Sequence, residues 1–198
     1  MAVLLPVLFL FICVGMQSGH WIINIMPREE KVERVFFLLF GTGFCSGIVE
    51  EMMFRGYLTK ISEQRWGKIK GMIIPTALFV LGHYRAGSAS FSFGYRAILI
   101  ISLSVLLTIV TYQSGQIWDA ALIHAFWDIF VARNDVYSVD FAAGSNAFFT
   151  YVLDDGLEHP LFKLNEIHII LLASAILWAV IALLLISARL KKQPLLGN

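Results

Sequence analysis

Val49-Glu50-Glu51-Met52-Met53-Phe54-Arg55, VEEMMFR, closes a run that otherwise belongs in hydrocarbon. From Val35 to Val49 there is no charged residue. Two adjacent carboxylates, two methionines, a phenylalanine and an arginine then follow. Charge in or near lipid is expensive unless it is paired or wetted. On an α-helix at about 100° per residue, Glu51 and Arg55 are i and i+4 and can pair on one face. Glu50 points about 100° away, on the face of Gly43, Ser46, Gly47 and Phe54. The two glutamates therefore have different surroundings: Glu51 has a local cation, and Glu50 lies on a face thinned by glycine. Gly43-x-x-x-Gly47 lets a second helix approach closely. Glu50 then either packs against that neighbour or looks into a cavity, unless both glutamates snorkel to water at the interface.

The composition around this stretch points the same way. The chain has 198 residues, 58% of them hydrophobic, with a mean hydropathy of +0.75. A soluble domain is nearer about 45–50% apolar, so the excess predicts an all-α, polytopic membrane bundle. Helices, not a β-barrel, suit apolar runs of this length. About six spans are predicted, near residues 2–23, 35–58, 71–85, 97–113, 117–133 and 167–188. The first is read as a span because it lacks the basic flank and cleavage site of a signal peptide. The whole of 1–198 reads as a single membrane domain, with a core at 35–133 and an extramembrane or interfacial loop at 134–166. NAFFTYVL (Asn146–Leu153) in that loop is too short to span, so it lies at the interface or re-enters. Lys60, Arg65, Lys68 and Lys70 place a loop Thr59–Lys70 in the cytoplasm by the positive-inside rule. The net charge of +1 argues against nucleic acid as a partner. Cys13 and Cys45 show no metal-ligand spacing and read as small buried hydrophobes. Met52 and Met53 read as packing, and the five tryptophans as interface or packing aromatics.

Two further spans carry polar groups. In IIPTALFVLGHYRAG, Phe79 and His83 are i and i+4. In IWDAALIHAFWDIF, His124 and Asp128 are i and i+4, with Ala120 and Ala121 on the same face. A lone histidine in an apolar helix is usually a hydrogen-bonded core residue. Ionisable groups in three spans instead suggest one shared polar site, because such groups face the bundle interior and one another.

Glu50-Glu51-x-x-x-Arg55, Phe79-x-x-x-His83 and His124-x-x-x-Asp128 resemble the three motifs of the CAAX-protease and bacteriocin-processing (abortive-infection) family. EEMMFRGYL resembles that family's EE-(apolar)3-RG-x-L, and SGQIWDAALIHAFWD its third motif. The resemblance covers about residues 35–133. It implies a glutamate-dependent intramembrane endopeptidase. Glu50 would be the general base that activates a water, and His83 would help position that water. His124 and Asp128 match the oxyanion-stabilising motif, Glu51 and Arg55 the supporting pair, and Phe79 the aromatic of the second motif. The family's Ras-converting member has asparagine where this chain has Asp128. An ionised aspartate repels an oxyanion, so here Asp128 is expected to orient or charge His124.

The resemblance implies a prokaryotic cell (inner) membrane, a membrane-associated peptide or protein as substrate, and no required cofactor. Two histidines, two carboxylates and a water could instead bind zinc, although no H-E-x-x-H is present. The same residues would also suit a non-catalytic scaffold or bacteriocin-immunity factor, or a proton-relaying transporter. A transporter needs polar groups spaced through the membrane depth. Here the last span has no charged or histidine residue between His168 and Arg189, and the first has none before Gln17.

Overall fold

The computed structural model describes residues 4–15, 19–83, 90–132, 137–140, 147–153 and 166–192. Helix α1 is Leu4–Gly15, and strand β1, Gly19–Ile23, follows it. Helix α2 runs from Arg28 to Gly82. Helix α3 is Ser90–Ser114. Helix α4 is Trp118–Trp127 and continues in wider π-type turns over Asp128–Ala132. Strands β2 (Tyr137–Asp140) and β3 (Phe149–Leu153) precede helix α5, Glu166–Lys192.

Helix α2 is a hairpin folded at Gly67. That residue has φ 83° and ψ 170°, outside the helical region and open to glycine at no steric cost. Beyond it, a Cβ on Gly71 would stand 2.9 Å from the Cβ of Glu63. Those residues are eight positions apart, so the chain has doubled back. The rings of Phe54 and Phe79, one on each limb, meet edge to face at 5.0 Å. The loop expected at Thr59–Lys70 is thus helical with one break. Lys60, Arg65, Lys68 and Lys70 are exposed around that fold point.

The outgoing limb widens into π turns over Phe37–Ser46 and again over Met52–Leu58, flanking the glutamate pair. Such turns recur at functional sites. The limb begins as a charged segment with no buried residue, Arg28–Phe36, held by the Glu30–Arg34 ion pair at 2.8 Å.

Helix α3 runs through the centre. Leu103, Leu106, Leu107 and Val110 of α3 pack with Leu5 of α1, Ala120, Ile123 and Trp127 of α4, and Ala173, Leu177 and Ile181 of α5. Two tethers hold its far end: Tyr112 donates to Glu63 Oε2 at 3.2 Å, and Gln113 Nε2 to the Leu184 carbonyl at 3.2 Å. The outer faces stay apolar. Phe36, Phe40, Val49, Ile69 and Leu81 are all more than half exposed. Only 24% of the most apolar window of α2 is buried. Among the described residues, α2 and Arg96–Ser114 of α3 are long and apolar enough to cross a membrane. Ala173–Leu185 is a shorter apolar helix.

The all-α expectation needs correction at one end of the bundle. A three-stranded sheet of order β1-β3-β2 forms there, with β1 antiparallel and β2 parallel to β3. Trp21 stands opposite Tyr151, with ring centroids 5.1 Å apart. Asn24 donates from Nδ2 to the Ala147 carbonyl and to Thr150 Oγ1, both at 2.7 Å. Of the first span predicted over 2–23, Leu4–Gly15 is helix and Gly19–Ile23 is strand, while 2–3 and 16–18 lie outside the described residues. NAFFTYVL contributes a strand because Phe, Thr, Tyr and Val fit a pleated, half-buried surface. Within the predicted 134–166 loop, 134–136, 141–146 and 154–165 lie outside the described residues, as do 84–85 of the third span and Arg133 of the fifth.

Two packing expectations also change. Cys45 is exposed rather than buried, while the side chain of Cys13 lies outside the described residues. Met52 and Met53 turn outward, about half exposed. Of the tryptophans, Trp127 is buried, and Trp21, Trp66, Trp118 and Trp178 are exposed.

Candidate active site

Close packing of α4 on the outgoing limb of α2 brings the motifs together. A Cβ on Gly47 would lie 2.9 Å from the backbone nitrogen of Ala125, and one on Gly43 would lie 2.4 Å from Ile129 Cδ1. The glycine stripe thus seats α4, as its spacing predicts. His124, next to Ala125, comes down between the two glutamates.

Glu51 and Arg55 form the expected pair, Nη1 to Oε1 at 2.7 Å, with both side chains at most 1% exposed. A charge at that depth requires a partner of this kind. Glu51 Oε1 also meets His124 Nδ1 at 2.9 Å. A carboxylate held by an arginine only accepts, so Nδ1–H of His124 is the donor. The other imidazole nitrogen, Nε2, faces Glu50 Oε2 at 3.9 Å and Asp128 Oδ2 at 3.7 Å. Both gaps exceed a direct hydrogen bond and suit groups sharing one bridging molecule. The Glu50 side chain is 29% exposed and that of Asp128 is 17% exposed. The second oxygen of Glu51, Oε2, is buried with no hydrogen-bond partner among the described residues.

The two glutamates thus address opposite nitrogens of a single ring. Sequence reasoning expected Asp128 to orient or charge His124. The hydrogen bond that fixes the ring comes from Glu51, and Asp128 lies by the outward nitrogen.

Phe79 is the hub of the second motif. It is 1% exposed. Its ring lies 4.9 Å from the Arg55 guanidinium carbon, 5.7 Å from the His124 ring and 4.5 Å from the His83 ring. A cation held over an aromatic face adds to the pairing of Arg55. His83 caps the end of α2, exposed, and donates from Nδ1 to the Phe79 carbonyl at 2.8 Å. It joins the cluster through Phe79 and stands at its rim, with Nε2 turned away from that carbonyl.

The site was expected from the second, third and fifth spans. Helix α3 also contributes. Arg55 Nη2 donates to the Ser104 carbonyl at 3.0 Å and to Ser104 Oγ at 2.8 Å. Ser104 Oγ and Thr76 Oγ1 are 2.9 Å apart, and Thr108 Oγ1 donates to the Ser104 carbonyl at 2.9 Å. The visible signal was a pair of hydroxyls at i and i+4 in the apolar run ILIISLSVLLTIV.

Glu51 is not free to serve as a metal ligand through Oε1. The guanidinium of Arg55 and the Nδ1–H of His124 already occupy Glu51 Oε1. Among the described residues, no group of three or more His, Cys, Asp or Glu side chains is arranged to hold a metal ion.

A buried imidazole anchored on one nitrogen, with two carboxylates at the other, can carry acid–base chemistry on a molecule held between them. Neither curated proteins nor solved structures give a match to the chain. A family model described as type II CAAX prenyl endopeptidase Rce1-like matches residues 32–130. That is half of the chain, and it spans Glu50, Glu51, Arg55, Phe79, His83, His124 and Asp128. With all three motifs inside the match, and their side chains gathered around His124 and Phe79, the chain belongs to the Rce1-like family of type II CAAX prenyl endopeptidases.

Proposed function

We propose that this chain is a metal-independent intramembrane endopeptidase that hydrolyses a peptide bond in a membrane-associated peptide or protein. Family membership supports a CAAX-type protease. The observation that carries the finer reading is the facing of His124 Nε2 by Glu50 and Asp128, at 3.9 and 3.7 Å, in an apolar bundle.

In this reading Glu50 takes a proton from a water, and the water oxygen attacks the scissile carbonyl carbon. Positioned general-base catalysis is worth roughly 10²–10⁴-fold. The carbonyl oxygen becomes an oxyanion, which accepts a hydrogen bond from Nε2–H of His124 in its imidazolium form. Such a donor is worth on the order of 10²–10³-fold. The C–N bond then breaks, and the proton held by Glu50 passes to the leaving amine. His83, at the rim, holds the attacking water through Nε2. Glu51 keeps Nδ1–H of His124 engaged, so only Nε2 meets substrate. Asp128 supports the charge on that ring.

In this reading the chain is a multi-pass protein of about six spans in a prokaryotic inner membrane; the exposed apolar side chains of Phe36, Phe40 and Leu81 support contact with lipid. The test compares membrane proteomes of cells carrying wild type, Glu50→Gln, His83→Ala and His124→Ala. A fragment present with wild type and missing with all three variants identifies activity and substrate together. Fragments that persist with Glu50→Gln reject the mechanism.

A further inference from the structure

We propose that Ser104, with Thr76 behind it, is a positioning residue of the catalytic site, so that α3 is a working part of the machinery. This rests on the endopeptidase reading above. Five side chains form one buried line: Thr76, Ser104, Arg55, Glu51, His124. Its links measure 2.9, 2.8, 2.7 and 2.9 Å. Thr76, Ser104, Arg55, Glu51 and His124 are all buried. The line starts on the return limb of α2, crosses to α3, comes back to the outgoing limb and ends on α4.

The chemistry of the line gives it direction. Arg55 carries donors only. It spends Nη1 on Glu51 and Nη2 on Ser104, through both the carbonyl and Oγ. Ser104 Oγ accepts from Arg55 and shares a second hydrogen bond with Thr76 Oγ1, in which either hydroxyl can donate. The guanidinium plane is thereby fixed at both ends. A fixed guanidinium fixes Glu51 Oε1, and that oxygen selects the tautomer and direction of the His124 ring. Without Ser104 Oγ, Arg55 keeps its charge partner and loses an anchor. Glu51 can then swing, and His124 Nε2 is no longer held toward Glu50 and Asp128. Ser104 touches no reacting atom; it acts through the ring.

The test uses the full chain in detergent, with an internally quenched peptide ending in a farnesylated C-a-a-X sequence as probe. Ser104→Ala is expected to lower kcat roughly tenfold, the scale of one hydrogen bond to a charged group, with KM little changed. Ser104→Thr, which keeps the hydroxyl, is expected to restore most of the rate. In a Glu51→Gln background, adding Ser104→Ala is expected to cost nothing more, because the line is already cut. An equal loss in both backgrounds would mark Ser104 as merely structural and overturn the proposal.

A second measurement does not depend on turnover. The ¹⁵N signals of His124, identified by their loss in His124→Ala, are expected to report one Nδ1–H tautomer in wild type and a mixture in Ser104→Ala. Thr76→Val is expected to move them in the same direction by less. His124 signals unchanged in Ser104→Ala would also sink the proposal. If wild type leaves the probe intact while Ser104→Ala still shifts those signals, the positioning line stands and the substrate reading falls.

Discussion

At the scale of single residues, the site is a problem of burying charge. Glu51 and Arg55 are at most 1% exposed, and removing one member strands the other. Glu51→Met or Arg55→Met alone should cost about 3–5 kcal/mol. The double Glu51→Met/Arg55→Met variant should cost less than either single change, because no charge is left unpaired. Thermal unfolding in detergent measures all three, and a double variant worse than both singles would contradict the pairing. Asp128 poses a different question. Asparagine there donates a hydrogen bond where aspartate contributes charge. Asp128→Asn should therefore keep cleavage, while Asp128→Leu, which supplies neither charge nor hydrogen bond, should lower kcat roughly tenfold, the scale of one interaction with a charged group. The i,i+4 pairing of Glu51 with Arg55 was legible because it is local. That Glu51 also holds His124, 73 positions away, was not. Helical angles describe one helix and say nothing about which neighbour a carboxylate meets.

At the scale of elements, two glycines set the geometry by close approach and one by its backbone. Gly43 and Gly47 let α4 sit against α2. Gly47→Val should therefore push α4 away, part His124 from Glu51 and abolish cleavage. Gly82→Ala, which meets nothing within 4 Å, should leave activity intact. Comparing the two variants in one peptide assay tests this, and equal activities would reject the seating role. Gly67→Ala has open space but φ 83°. It should destabilise by about 1–2 kcal/mol through backbone strain alone, read again by thermal unfolding. The helices were predictable from the length of their apolar runs. The fold at Gly67 was obscured because charged, helix-forming residues on both sides of it look like a loop when scanned for hydrophobicity. The strands were missed for a related reason. Gly19–Ile23 and Phe149–Leu153 are too short to declare themselves, and each is stabilised by a partner more than 120 positions away.

At the scale of the whole molecule, the described residues keep an apolar core yet also carry large apolar side chains on the outside. Small side chains and hydroxyls, such as Ala120, Ala121, Ser102 and Ser104, are buried together with Leu106, Leu107 and Leu177. Other large apolar ones, such as Phe36, Ile69 and Leu81, face outward. Bilayer packing favours this distribution, because small residues let helices approach and lipid covers the rest. Cys45, exposed on the outer face of α2, reports on it. In a Cys13→Ala background reconstituted in liposomes, a charged maleimide should label Cys45 only after the membrane and protein are dissolved in SDS, because a thiol facing hydrocarbon forms no thiolate. Labelling by that reagent in intact liposomes would place that face in water. The donor set also gives an expectation for the whole protein. Purified material should keep its activity in a strong zinc chelator, and activity that falls with chelation and returns with zinc would overturn the metal-independent reading.

The sequence by itself determined the apolar excess, the positions of the main helices, the Glu51–Arg55 pair, the glycine stripe and the three motifs that mark the family. These are properties of composition and of spacing within one turn or two, where covalent geometry leaves the chain little freedom. Only the tertiary structure decided that the return between the second and third spans is a single break at Gly67 in continuous helix, that a sheet closes one end, that Glu51 holds His124 Nδ1, and that Ser104 braces Arg55. Each of these joins residues far apart in the chain or a break hidden among helix formers. Which distant groups meet depends on how every helix packs at once, and no local pattern encodes that.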